Sequence, residues 1–308
     1  MFSAAFVFWI LKNANSTSSF SSIITIINPL RHVVWKIFWF LNYQPICMNF
    51  RKQHLQKYHT CAICCVAFHP TLPLLATGSC DNSTIVYDLT TSPPTVKYRL
   101  KHHTRWVRCI AFHQSLPLFA TGSDDNSTIL YDISTSPPNV KHHFKHHTNR
   151  IKSIAFHQTL SLLATGSCDN STILYDISTL PPTVTHHLND HTCNVLSVVF
   201  HPSLPLLATG SGDKSTIIYD ISTSPPTVKY HLKTHTRSVH SVAFHPNLPL
   251  FATGSFDYST ILYDISTSPP TVKNHLKHHN GFVNCVTFHS SLSFLATCSD
   301  DNSTIIYD

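Results

Sequence analysis

The sequence predicts an all-β molecule in which one four-stranded unit is repeated around an axis. Three observations carry that prediction. The segment ATGSCDNSTIVYD at 76–88 returns as ATGSDDNSTILYD at 120–132 and as ATGSFDYSTILYD at 252–264. The Tyr-Asp pair that closes it ends at Asp88, Asp132, Asp176, Asp220, Asp264 and Asp308, a step of 44 residues with no insertion. A fixed period of this length marks an array that folds as one object. No segment shows helical periodicity, and the apolar runs are short and bounded by turn residues.

Residues 1–47 come first and differ from the rest. They are apolar and aromatic, with only Lys12, Arg31 and Lys36 charged. The run Phe2 to Leu11 is too short for a spanning helix. It lacks the basic start of a signal peptide, and no convincing cleavage site follows. Pro29, Arg31 and Lys36 interrupt the second run, Ile23 to Leu41, and make a span costly. SSIITIINPL at 21–30 is a worn copy of AICCVAFHPTL at 62–72, with Pro29 in the place of Pro70. HVVWKIFWFL is rich in strand formers. The segment is expected to form a degenerate seventh unit, with a membrane-associated segment as the alternative. Residues 48–308 hold the six regular units.

Each regular unit contains four strand-like pieces. TSPP is a turn, because Pro-Pro cannot continue a ladder. NVKHHFK alternates as an exposed strand should. RIKSIAF and LSLLAT are short apolar strands parted by a turn at His157 and Gln158, and STILYD follows a tight turn at Gly166 to Asn170. The pieces run outer strand, then three inner ones. The inner strands are apolar on both faces, and one four-stranded sheet cannot bury two faces alone. Copies stacked around an axis can, which is the arrangement of a β-propeller.

These residues resemble the WD-repeat (Trp-Asp) family of β-propellers. The pattern is a His, an Asp 22 positions on, then Tyr-Asp starting six positions after that Asp, six times in phase over 59–308. In that family a His, a Ser or Thr, an Asp and the Trp form a hydrogen-bonded chain within each blade. The resemblance implies the sets His59, Thr77, Asp81, Tyr87, then His103, Thr121, Asp125, Tyr131, then His147, Thr165, Asp169, Tyr175. It continues with His191, Thr209, Asp213, Tyr219, then His235, Thr253, Asp257, Tyr263, and last His279, Thr297, Asp301, Tyr307. A buried Asp must be paired or its desolvation is expensive. Two departures stand out. Tyr replaces the family's Trp in every copy. The Gly before the His is replaced by Tyr58, His102, His146, Asp190, Thr234 and His278. The networks are therefore expected to be looser than the family's.

The family closes its ring by pairing an N-terminal outer strand with the last blade, and this sequence stops at Asp308, the end of an inner strand. Two donors are available: Ala4–Leu11, closing seven blades, and Phe50–Lys57, closing six. The first is the favoured expectation; a truncated chain is the alternative.

Composition argues against an enzyme. The chain has no glutamate, so all 15 acidic residues are Asp. Twelve are the two Asp of each unit, which leaves Asp124, Asp190 and Asp300 for other work. Acid–base chemistry wants a carboxylate or His spared from structural duty. No catalytic residue and no cofactor is expected. The net charge of +6 with His neutral is mildly basic, without the charge run of a nucleic-acid tail. The ten Cys read as unpatterned reduced thiols of a cytosol-like compartment. Cys61, Cys64 and Cys65 contain a CxxC, a weak metal signal without a second pair.

The copies differ in two places: three and five residues after the tetrad His, and beside the turn Asp. The family opens both onto the top face around the central channel. The set includes Trp106 and Arg108, Arg150 and Lys152, Asn194 and Leu196, and Phe282 and Asn284. Beside the Asp stand Cys80, Asp124, Cys168, Lys214, Phe256 and Tyr258. Trp, Tyr and Arg dominate interface energetics. Trp106, Arg108, Arg150 and Lys152 are expected to form a basic-aromatic patch, and Phe256, Tyr258 and Phe282 an apolar one. The implied function is a protein-interaction scaffold whose partner carries acidic or phosphorylated groups at the basic patch. Rivals are a nucleic-acid-binding propeller and a scaffold tethered to a membrane through 1–47, and neutral drift of exposed loops is the bland reading. Metal is not expected, since His143, His187, His231 and His275 fall one per blade. The NST triplets at Asn82, Asn126, Asn170 and Asn302 sit where Asn suits the turn, and Lys97, Lys101 and Lys273 suit exposed edges.

Overall fold

The structure, a computed structural model, describes residues 58–308. They form 23 strands and no helix. The first blade is β1 (Ile63–Phe68), β2 (Leu74–Ser79), β3 (Thr84–Asp88) and β4 (Thr95–Leu100). The second is β5 (Val107–Phe112), β6 (Leu118–Ser123), β7 (Thr128–Asp132) and β8 (Asn139–Phe144), and the third β9 (Ile151–Phe156), β10 (Leu162–Ser167), β11 (Thr172–Asp176) and β12 (Thr183–Leu188). The fourth is β13 (Val195–Phe200), β14 (Leu206–Ser211), β15 (Thr216–Asp220) and β16 (Thr227–Leu232), and the fifth β17 (Val239–Phe244), β18 (Leu250–Ser255), β19 (Thr260–Asp264) and β20 (Thr271–Leu276). The sixth has only β21 (Val283–Phe288), β22 (Leu295–Ser299) and β23 (Thr304–Tyr307). Strands neighbour one another in chain order and pair antiparallel throughout, as in β1-β2-β3-β4. The degenerate blade, both closure strands and the membrane alternative fall on residues outside those described. Among the described residues no helix is long and apolar enough to cross a membrane.

Burial follows the sequence pattern. Every residue of β2, LLATGS, is buried, because both faces of this strand are covered. The outer β4 alternates between exposed and covered positions. The core lies between blades. Cys65, Ala67, Ala76 and Val86 of the first blade close on Val107, Ile110, Phe119 and Tyr131 of the second, and the pattern recurs at the next interfaces. Fully burying a side chain such as Phe119 contributes about 1.5–3 kcal/mol. Position 78, inside β2, is a glycine because its neighbours come so close. A Cβ there would lie 2.6 Å from Cys65 Sγ and 2.7 Å from Val107 Cγ1.

The innermost strands pack in series, β1 on β5, β5 on β9, β9 on β13, β13 on β17 and β17 on β21. Among the described residues, β21 does not close onto β1 in the same way. Two residues mark the two ends of this series of described blades. Ile63 is 40% exposed, whereas its counterparts Val107, Ile151, Val195, Val239 and Val283 are all 0%. In the sixth blade Cys298 stands where five blades carry the Gly of the Gly78 column, with no next blade among the described residues to crowd its Cβ.

Both ends of the blades are shaped by turns. Between the first two strands, His69 Nδ1 accepts the backbone N–H groups of Thr71 (3.2 Å) and Leu72 (2.9 Å). The ring packs on Phe112 of the next blade at 5.1 Å. His113, His157, His201 and His245 repeat the ring contact. At the opposite end Asn82, Asn126, Asn170 and Asn302 have φ between 64° and 73°, the left-handed region that Asn tolerates. Asn82 Nδ2 also donates to Thr104 O of the next blade at 3.0 Å. Lys214 and Tyr258 hold the same backbone, φ 74° and 71°, without an Asn side chain.

Candidate functional site

The tetrad His lies just before each innermost strand, the Thr in the second strand, the Asp in the turn that follows and the Tyr in the third strand. In all six blades the His Nδ1 to Asp Oδ2 distance is 2.7–2.9 Å. The His Nε2 to Thr Oγ1 distance is 2.7–2.8 Å. A serine completes each set: Ser83 Oγ donates to Asp81 Oδ1 at 2.6 Å, and Thr60 N donates to Asp81 Oδ2 at 2.9 Å. With Asp as the acceptor, Nδ1 carries the proton and Nε2 accepts from the Thr hydroxyl in the neutral ring. Burial opposes the carboxylate charge, but the Ser and His hydrogen bonds outweigh it. They hold Asp213 at about 2 and the other turn aspartates well below the usual carboxylate range.

The two departures from the family pattern meet in space. The Tyr131 hydroxyl reaches His102 Nδ1 at 3.1 Å, Tyr219 donates to Asp190 Oδ2 at 3.1 Å, and Tyr307 reaches His278 Nδ1 at 3.2 Å. Tyr263 bonds Thr234 in the same way, and the Tyr175 ring lies 5.7 Å from that of His146. The side chain that replaces the family's Gly thus meets the Tyr that replaces its Trp. In the second, fourth, fifth and sixth blades the phenol finds a hydrogen-bond partner there, whereas the buried Tyr175 hydroxyl of the third has none among the described residues. This use of Asp190 also accounts for one of the three aspartates that seemed free.

At the upper rim the variable positions form pairs. The residue five after the tetrad His sits on a bulge of the innermost strand, where the register shifts. It meets the residue just before the turn Asp, 16 positions on. Arg108 makes a two-pronged ion pair with Asp124, Nε to Oδ1 at 2.9 Å and Nη2 to Oδ2 at 2.8 Å. Asn284 donates to Asp300. The His240 and Phe256 rings stack at 4.6 Å. The sulfurs of Cys64 and Cys80 are 3.2 Å apart. The same two columns hold Leu196 and Gly212 in the fourth blade, and Lys152 acts electrostatically on Cys168 in the third. His240 and Asp300 were not named in the variable set, and Asp124 was named without its partner Arg108. The signal that could have found them is that columns 16 apart change together.

The expected patches are placed as follows. The Arg108 guanidinium lies over the Trp106 ring at 4.5 Å, so Trp106, 44% exposed, is propped outward by a cation already bound to Asp124. Arg108 is thus no free cation, which corrects the basic patch. Arg150 and Lys152 stand on the next blade, and neither is in an ion pair among the described residues. Phe256, Phe282 and Tyr258 do come together. Phe256 stacks on Phe282 at 4.2 Å, and Tyr258 lies 5.6 Å from Phe282. Arg237 is 5.9 Å from the Tyr258 ring. With His240 this makes one aromatic cluster across the fifth and sixth blades.

The cysteines are not unpatterned. Cys65, Cys109 and Cys285 share the column of Ser153, Ser197 and Ser241, Cys80 shares one with Cys168, and Cys61 one with Cys193. In the serine blades Ser153 Oγ accepts Val198 N of the next blade at 3.0 Å, and Cys65 Sγ reaches Val107 O at 3.7 Å. All nine described cysteines are free thiols. Among the described residues no cluster of three metal-binding side chains occurs.

A family model described as WD domain, G-beta repeat matches residues 51–88, 94–132, 138–176, 182–220, 226–264 and 270–308. Each later match takes the outer strand of one blade and the three inner strands of the next. A chain in the solved "Crystal Structure of Mitotic Checkpoint Complex" superposes with a TM-score of 0.72 at 18% identity, covering 79% of this chain and 73% of that one. At that identity the likeness shows the fold alone. A search of curated proteins found no match.

Proposed function

Because the chain belongs to the WD domain, G-beta repeat family, we propose that it is a non-enzymatic scaffold holding a protein partner on its upper rim. The observation that carries this reading is the aromatic cluster of Phe256, Phe282 and Tyr258, with Trp106 displayed elsewhere on the rim. Exposure alone does not account for the variation there. At the opposite face Leu72, Leu116, Leu160, Leu204, Leu248 and Leu292 are 38–49% exposed, as open as Trp106, and the column never changes. Aromatic anchors suit a partner segment with apolar side chains. Arg150 and Lys152 suit an acidic or phosphorylated group on the same segment. A nucleic-acid ligand is supported less, since Asp124 neutralises Arg108.

The test compares the wild type with Trp106→Ala, Arg150→Glu and Tyr258→Asn combined. Arg108 is left in place, since removing it would strand Asp124. Both proteins are used to capture partners for quantitative mass spectrometry after circular dichroism shows equal folding. Partners lost by the variant support the rim. Equal capture by both overturns it and directs attention to the outer strands.

A further inference from the structure

One rim pair differs from the other five in kind. Ion pair, amide–carboxylate contact and ring stack can only associate, whereas Cys64 and Cys80 can bond covalently. Their sulfurs, 3.2 Å apart, are about 1.2 Å farther than in a disulfide of ~2.05 Å. The backbones are already held together, because Cys80 N donates to Ala62 O at 2.9 Å. Cys64 sits at the bulge between Ile63 and Cys65. Both residues are half-buried, and Cys61 nearby is exposed. The guanidinium of Arg108 acts electrostatically on both sulfurs.

We propose that Cys64 and Cys80 form a reversible disulfide when the protein meets hydrogen peroxide. The Cys64 sulfur attacks one peroxide oxygen. An S–O bond forms and the O–O bond breaks, leaving Cys64 as a sulfenic acid, and the second oxygen departs as water with the Cys64 proton. The Cys80 sulfur then attacks the sulfenic sulfur. The S–S bond forms, the S–O bond breaks, and hydroxide leaves with the Cys80 proton as a second water. Two electrons pass from the thiol pair to peroxide, and a dithiol reductant returns them. Burial, with the neighbouring Cys64, pushes the Cys80 thiol up to about 12. Attack by Cys80 first, with Cys64 resolving the sulfenic acid, gives the same disulfide and the same two waters.

The experiment treats the purified full chain with hydrogen peroxide, alkylates the remaining thiols and digests with chymotrypsin without reductant. Cleavage after Phe68 and Leu75 puts Cys64 and Cys80 in separate peptides. The expected product is a linked pair, lighter by two hydrogens than the sum of its halves, that disappears with dithiothreitol. It persists in Cys61→Ser and is lost in Cys64→Ser and Cys80→Ser. Fragmentation of the wild-type linked peptide assigns the sulfurs directly should a variant fold poorly. Two results overturn the proposal. In one, both thiols remain alkylatable while Cys61 is oxidised; in the other, the link runs through Cys61 or Cys65.

Discussion

Arg108 holds its charge 2.8 Å from an Asp124 carboxylate that is 8% exposed, while a fifth of its own side chain stays open. Removing one partner of such a pair leaves a charge without compensation. Arg108→Ala is expected to cost about 2 kcal/mol, below the range for fully buried pairs because water still reaches the guanidinium. The double variant Arg108→Leu with Asp124→Gly imports the Leu196 and Gly212 pair of the fourth blade. It should recover most of that loss, as read by urea unfolding; no recovery would mean the two columns are independent. Tyr258 is the second residue to test. Its left-handed backbone, φ 71°, suits Asn better, and Asn82 shows the bond that Asn makes to the next blade. Tyr258→Asn should therefore stabilise by about 0.5–1 kcal/mol. A gain in stability accompanied by lost partner capture would explain why a strained tyrosine stands there. Unchanged or lower stability would remove the strain argument.

Turns and strands inherit the behaviour of these residues. The histidine turns between first and second strands work only with a neutral ring, because Nδ1 accepts two backbone N–H groups. Burial lowers His69, His113, His157 and His245 from the ordinary 6.5 and brings His201 to about 4. A group lowered in the folded state stabilises fully above its unfolded value and loses that contribution as pH falls. Stability should thus decline as pH falls below about 6.5 toward the lowered folded values, about 4 for His201, because the unfolded chain's histidines take up protons that the turns refuse. The tetrad aspartates, held below 3.8, add a further loss below pH 4. Thermal melts across pH 7 to 3 check both stages, and a flat profile from 7 to 4 would refute the histidine stage. The glycine column offers a steric test. At Gly166 a Cβ would lie 2.8 Å from both Val195 Cγ1 and Val198 Cγ1. Gly166→Cys should cost about 1–3 kcal/mol by overpacking, although Cys298 is native in the same column.

Strand order, turns and tetrad spacing could be read from the chain because each recurs at fixed offsets and is satisfied inside one blade. The rim pairs could not be read column by column. Arg108 and Asp124 become partners only when a bulge in β5 turns Arg108 toward the end of β6. Asp190 looked free for a similar reason, since its partner Tyr219 lies 29 residues away at 3.1 Å.

At the scale of the molecule, six blades share their cores with their neighbours, so no blade is an independent unit. The two faces of the described blades are unlike. One repeats the same exposed leucine in every blade. The other carries a different pair in every blade, with an aromatic cluster at the fifth and sixth and Trp106 at the second. On the proposed function, this second face meets the partner. The most direct test places a photoreactive benzoylphenylalanine at Tyr258 in one protein and at Lys273, on an outer strand, in another. Irradiation followed by mass spectrometry identifies what each residue touches. The account expects a protein adduct from position 258 and none from 273. Adducts from 273 alone would contradict it, and would move the partner surface to the outer strands.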